Sequence, residues 1–233
     1  MLFVQDNFIV DEKLVAEVVA DEMFFPPAMS GTNSLNVAGD NLGGNLNEFH
    51  YEQADCFAPY MFWDGWWRSP ADTPRKRVIE KIWKDTGLLP FKEEEVCGFE
   101  YWTRTFTLGQ WLGIHVDEDT FMYSETSYFQ GPKIGCVWYG FSEADGGFLE
   151  IHEEGLDEGV EQLEQSSIDR LTSPADRRER IKYQPNRLVV FDAGHKLHET
   201  TPVTSGIKQV MVVNVWHVDS APWALAFGGF HYE

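Results

Sequence analysis

The sequence predicts a mainly β protein, a sandwich or barrel with helices ahead of it. Two observations carry that class. From Gly98 onward the chain breaks into short runs rich in β-branched and aromatic residues: "GFEYWTRTFTLGQWLGIHVD", "KIGCVWYGF", "GGFLEIHEE", "NRLVVFDAG" and "IKQVMVVNVWHV". Gly, Asp and Pro punctuate them, as turns between strands require. The clear helical patterns lie before residue 98, so strands and helices do not alternate as a parallel α/β sheet demands. At 233 residues, 43% hydrophobic with 9 Trp, 17 Phe and 8 Tyr, the chain supplies a packed core for one domain and enough aromatics to line a pocket.

Taken in order, residues 2–10 read as a short strand. Asp11 is a helix cap, and Leu14, Val15, Val18 and Val19 share one face of a helix running to about Met23, where "FFPP" stops it. Residues 28–70 lack periodicity and are rich in Gly, Asn and aromatics, ending in "YMFWDGWW"; a segment of that kind is expected to be either mobile or part of a binding surface. The next helix is better marked, with Asp72 or Thr73 as cap, Pro74 in its first turn, "RKRVIEKIWKD" as its body and Gly87 past its end. Residues 153–186 interrupt the strand-rich part with an acidic stretch and "SPADRRERIK", read as a short helix capped by Ser173. The organisation expected is a single domain over 1–233. Residues 1–97 form a helical and irregular support with a possible lid, and 98–217 a catalytic barrel carrying the 153–186 insertion.

Charge narrows the partners. With 38 acidic against 18 basic side chains the formal net is −20, which gives no basic footprint for nucleic acid and disfavours anionic membranes. It favours, weakly, a cationic substrate. Cys56, Cys97 and Cys136 are far apart, odd in number and lack a C-x-x-C pattern, so free thiols in a reducing compartment are expected. The start "MLFVQDNFIVDEKLVAEVV" has acidic residues where a signal peptide is basic, and no apolar run reaches membrane-spanning length. The expected location is the cytoplasm.

The chemistry centres on "GIHVDED", residues 113–119. On an extended segment His115 and Asp117 share a face, so H-x-D offers two metal ligands from one strand end. Alone it is commonplace and reads as a polar strand end. Three downstream features give it weight: "VWYGFSEADGGFLEI", then "NRLVVFDAGHKLHETTPV" with His198, then "SGIKQVMVVNVW" with Lys208 ten residues after His198. Two imidazoles and one carboxylate on one face of a metal leave positions open, which suits non-haem Fe(II) binding a co-substrate and O2. A cation deeper in the barrel is then needed to pair with the far carboxylate of a dicarboxylic co-substrate.

In these residues the sequence resembles the Fe(II)- and 2-oxoglutarate-dependent dioxygenases, in their prolyl-hydroxylase-like branch. The resemblance runs through "HVD" (115–117), "GGFLEI" (146–151), "NRLVVFD" (186–192), "HETTPV" (198–203) and "GIK" (206–208), and covers roughly 98–217. It implies a double-stranded β-helix, the jelly-roll or cupin-like barrel, flanked by helices. It implies iron held by His115, Asp117 and His198, and 2-oxoglutarate with its distal carboxylate on Lys208, assisted by the Tyr139 hydroxyl and packed by Leu149. Asn214 shares strand parity with Lys208 and is expected to point inward with it. Thr105 falls ten residues before His115, where the branch often has an inward polar residue. The activity implied is hydroxylation of an unactivated C–H bond of a small molecule or amino acid, with O2 consumed, succinate and CO2 released, and ascorbate as a supporting reductant. A peptidyl, prolyl-type substrate is the alternative; a 2-oxoglutarate-binding sensor or a cupin-like zinc protein is the alternative of another class.

Two details qualify the resemblance. Lys208 follows the collagen-hydroxylase pattern where oxygen-sensing members have Arg, and supplies a point charge in place of a bidentate fork. Asp117 is retained where halogenating relatives have Gly or Ala, which favours hydroxylation or desaturation. Competing assignments remain open at this level. His195 stands three residues from His198. Glu150 and His152 read as solvent-facing, His217 as a satisfied or surface residue, and His50 and His231 have no role. Trp63, Trp66 and Trp67 are either core or lid. Of Trp138 and Tyr139 one faces the interior. Arg104 would anchor a substrate carboxylate if it pointed inward, but it and Thr105 lie on opposite faces of their strand.

Overall fold

The computed structural model describes residues 1–25, 61–87, 89–126, 128–155, 174 and 177–227. The readings placed on residues 28–60, on Cys56, His50 and His231, and on Ser173 as a cap lie outside them. In chain order the elements are β1 (Leu2–Gln5), α1 (Glu12–Ala20), β2 (Met61–Trp63), α2 (Pro74–Thr86), β3 (Val96–Phe106), β4 (Leu112–His115), α3 (Thr120–Thr126) and β5 (Ile134–Tyr139). They continue with β6 (Ala144–Gly146), β7 (Leu149–Gly155), β8 (Arg178–Ile181), β9 (Leu188–Phe191), β10 (Lys196–Thr200), β11 (Val203–Gly206), β12 (Lys208–His217) and α4 (Trp223–Phe227).

Both N-terminal helices begin for reasons visible in the sequence. The Asp11 side chain accepts from the Lys13 and Leu14 amides at the start of α1. Thr73 accepts from the Lys76 amide, Pro74 occupies the first turn of α2, and Gly87 ends it in the left-handed region at φ 58°. The strand expected over 2–10 is shorter, because Asn7 takes a positive φ of 52° and breaks the extended run.

The strands form a major sheet in the order β1-β9-β5-β12-β3-β2 and a minor sheet in the order β4-β10-β7-β8, with β11-β6 as a separate ribbon. All pairings are antiparallel. This is a double-stranded β-helix. One apolar cluster joins Leu14 and Val18 of α1 and Val78, Ile79 and Ile82 of α2 to Phe99, Tyr101, Trp138, Met211 and Val213, so the helices cover the outer face of the major sheet. A second cluster, with Phe106, Tyr139, Leu149, Ile151, Phe191, Val203 and Val210, fills the space between the sheets. Because β3 and β12 are buried on both faces, they read as nearly continuous apolar runs without the alternation of a half-exposed sheet.

The major sheet reaches outside 98–217, taking Leu2–Gln5 as one edge and Met61–Trp63 as the other. Trp63, Trp66, Trp67 and Trp83 pack around Phe99 with ring centroids 4.7–6.2 Å apart. They belong to the core under α2 and not to a lid. The helix read in "SPADRRERIK" is corrected: Arg178–Ile181 is strand β8, paired with β7. Its alternation decides the outcome, since Ile181 turns into the barrel while Arg178 reaches Glu150 at 3.0 Å and Glu199 at 2.7 Å. Among the described residues no helix is long and apolar enough to cross a membrane.

The Gly146-Gly147 pair is explained at Gly147, whose φ is +59° and where an added Cβ would lie 2.9 Å from Lys208 Cδ and 3.1 Å from Val203 Cγ2. Gly87 has the same φ in open space. Gly87→Ala should therefore cost only the left-handed backbone term, about 1–2 kcal/mol. Gly147→Ala adds overpacking of about 1–3 kcal/mol, and in a chain this long each kcal/mol lowers Tm by about 2–4 °C. Thermal melts of the two variants check this; equal shifts would contradict the close packing of Lys208 on Gly147.

Candidate metal centre

His115 ends β4 and lies directly opposite His198 of β10. The ladders are irregular on both sides of His198, against β4 and against β7, so this residue sits at a local break in pairing that re-aims its side chain. Asp117, two residues past His115, is fixed by its amide, which donates to the Ala193 carbonyl at 2.9 Å. The three side chains converge: one donor atom from each of His115, Asp117 and His198 lies within 4.8 Å of the others.

Each imidazole is set for metal binding by its own backbone. His115 Nδ1 lies 2.7 Å from the Gly113 carbonyl and His198 Nδ1 2.9 Å from the Lys196 carbonyl. A carbonyl only accepts, so both Nδ1 atoms carry the proton and both Nε2 atoms present a lone pair. Those Nε2 atoms each stand 3.6 Å from Asp117 Oδ1. Burial, then the neighbouring His198, pushes the His115 pKa down to about 4, which keeps the ring neutral. Burial tends to raise the Asp117 pKa, but His198 and His115 outweigh it and hold the carboxyl below its usual range.

The register of β12 sets the rest of the interior. Lys208 pairs with Phe106, Val210 with Arg104 and Tyr139, Val212 with Trp102 and Val137, and Asn214 with Glu100 and Gly135. Residues opposite one another share a face, so Lys208, Arg104, Tyr139, Glu100 and Asn214 all look inward. Lys208 is 1% exposed and donates to the Gly147 carbonyl at 2.7 Å and to Thr200 Oγ1 at 3.4 Å, both neutral acceptors. Burial, reinforced by the like charge of Arg104, pushes its pKa down to about 7. The Tyr139 ring lies 5.3 Å from Lys208 Nζ, and its buried hydroxyl has no hydrogen-bond partner among the described residues. Leu149 packs in the same cluster. Asn214 Nδ2 is 3.5 Å from Glu100 Oε2, and its amide also stabilises the Asp117 carboxylate.

The structure thus gathers His115, Asp117, His198, Lys208, Tyr139, Leu149 and Asn214 around one interior. It does not bring Thr105 there. Thr105 pairs with Gln209, on the helix-facing side of the sheet, and Arg104 takes the inward position. Trp138 likewise faces the helices, with Nε1 donating to Asn186 Oδ1 at 3.2 Å. His195 is held by Asp192 at 2.9 Å and is absent from the convergent set. His152 is not solvent-facing as read; it is 1% exposed, 3.6 Å from Glu199. His217 is half-buried and caps a short turn through the Asp219 amide.

Two inward residues escaped the sequence reading. Thr200 is two positions past His198, and that parity alone points to it. Glu100 accepts from Trp216 Nε1 at 2.9 Å, and burial pushes its carboxyl up to about 8. Only the register with Asn214 reveals it.

No family model and no curated protein sequence matches the chain. Many solved structures are similar to it, two of them as follows. One is an oxidoreductase of the 2OG-Fe(II) oxygenase family from Burkholderia pseudomallei, 14% identical, with 63% of this chain and 52% of that one covered and a TM-score of 0.35. The other is a Pseudomonas putida prolyl-4-hydroxylase, 15% identical, with 92% and 88% covered and a TM-score of 0.43. The chain spans about half the length of the Burkholderia protein. At these identities and scores the functional reading rests on the chain's own residues.

The buried amine makes stability depend on pH in a defined direction. Between about pH 7 and the ordinary lysine value near 10.4, the unfolded chain holds a proton that the folded chain has released, so stability rises with pH across that window. Lys208→Met removes the contribution. Melts of ligand-free protein should show wild type gaining on the variant from about pH 7 to about pH 10; a constant gap would contradict the burial of a weakly basic amine.

Proposed function

We propose that the protein is an Fe(II)- and 2-oxoglutarate-dependent dioxygenase that hydroxylates an unactivated C–H bond of a small molecule or amino acid. The observation that carries this reading is a single barrel interior holding both a three-ligand set and a buried lysine with only neutral acceptors. Two imidazoles presenting Nε2 and a carboxylate match Fe(II) and leave coordination positions free. A buried ammonium without an anion is costly, and the distal carboxylate of 2-oxoglutarate relieves that cost through a charge-assisted hydrogen bond. The orphaned Tyr139 hydroxyl gains a partner in the same ligand. A zinc hydrolase on the same three ligands leaves Lys208 and Tyr139 without a role.

When bound, iron and 2-oxoglutarate supply oxidative decarboxylation by O2 to succinate and CO2, coupled to oxidation of the substrate C–H bond. The chain's own work is positioning and exclusion of water. His115, Asp117 and His198 hold the metal, with both ring orientations set by backbone carbonyls. Asn214 keeps the Asp117 carboxylate charged and oriented. Lys208 and Tyr139 grip the far carboxylate, while Leu149 and Phe106 wall the intervening methylenes in apolar surface.

Anaerobic addition of Fe(II) and then 2-oxoglutarate should produce the visible charge-transfer band of the chelated complex. His198→Ala should abolish the band, and Lys208→Ala should shift its appearance to higher 2-oxoglutarate. Release of succinate on admitting O2 then separates turnover from mere binding. Folded wild-type protein that gives no band overturns the proposal.

A further inference from the structure

Glu100 lies toward the opposite end of β12 from Lys208 and takes no part in holding the co-substrate. It is 8% exposed, and it pairs with Asn214 in a cross-strand row that continues through Gly135 to Phe191. That row runs beside the metal ligands. The Phe191 ring centroid is 4.9 Å from that of His198, and the Asn214 amide bonds Asp117 as well as Glu100. Lys208 stands further back along β12, beyond Val212 and Val210, at ~20 Å of extended strand from Asn214.

Both hydrogen bonds to Glu100, from Trp216 Nε1 at 2.9 Å and from Asn214 Nδ2 at 3.5 Å, fall on Oε2. Oε1 accepts from no described residue and is not sealed off, so it opens on the interior. Asn214 Oδ1, on the same row, is buried and also has no partner among the described residues. The charged side chains that act on Glu100 are Asp117 and Asp119, both acidic, and Asp119 is occupied by the Met122 and Trp223 amides. A glutamine at this position would accept the same two bonds without burying an ionisable group. What a carboxyl adds is affinity for a cation.

We infer that Glu100 is the substrate anchor of the proposed dioxygenase, and that the substrate carries an ammonium or guanidinium group that pairs with it. The inference rests on that function, since it needs a substrate held beside His115, Asp117 and His198. Asp117 is committed to the metal, which leaves Glu100 to meet the cation. The bonds from Trp216 and Asn214 fix Oε2, and the same bonds aim Oε1. Ammonium and guanidinium groups bring several N–H donors and no acceptor, which matches a row where Oε1 and Asn214 Oδ1 both lack donors. Phe62, directly opposite Glu100, and Trp216 add aromatic surface that attracts cations. One side-chain amide separates Glu100 from Asp117, so oxidation falls on a carbon near the cationic nitrogen.

The test follows the visible band of anaerobic protein loaded with Fe(II) and 2-oxoglutarate while small probes are added. n-Butylammonium and n-butylguanidinium carry the cation; n-butanol and n-butylurea are their neutral counterparts. The band reports events at the metal, so cations gathered by the acidic surface do not register. In wild type each cation should shift the band saturably at ~10- to 100-fold lower concentration than its counterpart, as expected for hydrogen bonds to a charged group. Glu100→Gln should lose that preference, and Glu100→Asp, which keeps the charge, should retain part of it. Formation of the band in each variant shows that it is folded and loaded. An equal response to cation and neutral probe in wild type, or no response to either, overturns the inference. So does a cation preference that survives in Glu100→Gln. Wild-type protein that forms no band refutes the dioxygenase reading itself, a result distinct from either of these.

Discussion

The antiparallel register of β12 against β3 and β5 is the constraint on which the rest of the structure depends. Both faces of β12 are buried, one under α1 and α2 and the other inside the barrel, so its parity is fixed. Met211, Val213 and Val215 belong to the helices; Lys208, Val210 and Asn214 belong to the interior. A slip of one residue would put Lys208 into the apolar layer under α1 and expel Asn214 from beside Asp117. The same register turns Arg104 inward and Thr105 outward, although the two are neighbours in sequence. Position along the strand therefore decides chemistry before any side chain is considered.

A consequence is an interior with an unusual density of buried ionisable groups. Lys208, Arg104, Glu100, Asp117 and His198 are all nine-tenths or more buried, within a layer otherwise built from Phe, Val, Leu and Ile. Buried charges are tolerated where hydrogen bonds and opposite charges satisfy them. Here Asp117 has the Asn214 amide and Glu100 has Trp216 and Asn214, while Lys208 has, among the described residues, a carbonyl and a hydroxyl. The positive end of the interior is the less satisfied one. Under the proposed function, an anionic ligand that spans from that end to His115, Asp117 and His198 would resolve the imbalance, and co-substrate and metal would form one site. The acidic surface of the whole chain, net −20, plays no part in this local balance.

Much of this was legible in the sequence, for identifiable physical reasons. Helix starts and stops at Asp11, Thr73, Pro74 and Gly87 are local capping chemistry, and local chemistry is written in consecutive residues. His115 and Asp117 are recoverable because i, i+2 spacing fixes a shared face, and His198 because the ordered motifs around it resemble those of a known family. What failed was whatever depends on tertiary pairing. Thr105 was placed by distance from His115, and distance carries no parity without a partner strand. "SPADRRERIK" has the composition of an exposed helix, and only the offer of Glu150 and Glu199 on neighbouring strands makes Arg178–Ile181 a strand. His152 is buried opposite Arg178 of β8 and 3.6 Å from Glu199, a setting with no sequence signature. Glu100 was invisible for the same reason: its partners Trp216 and Asn214 are more than a hundred residues away.

The central claim is that His115, Asp117 and His198, and no other histidine among the described residues, form one metal centre. Anaerobic equilibrium dialysis against Fe(II) tests it most directly, on wild type and on His115→Ala, Asp117→Ala, His198→Ala, His152→Ala and His195→Ala, with folding checked by circular dichroism. The account predicts a single tightly held ion in wild type and in the His152 and His195 variants, and loss of that ion in each of the other three. Retention of iron after removal of His198, or its loss after removal of His195, would contradict it.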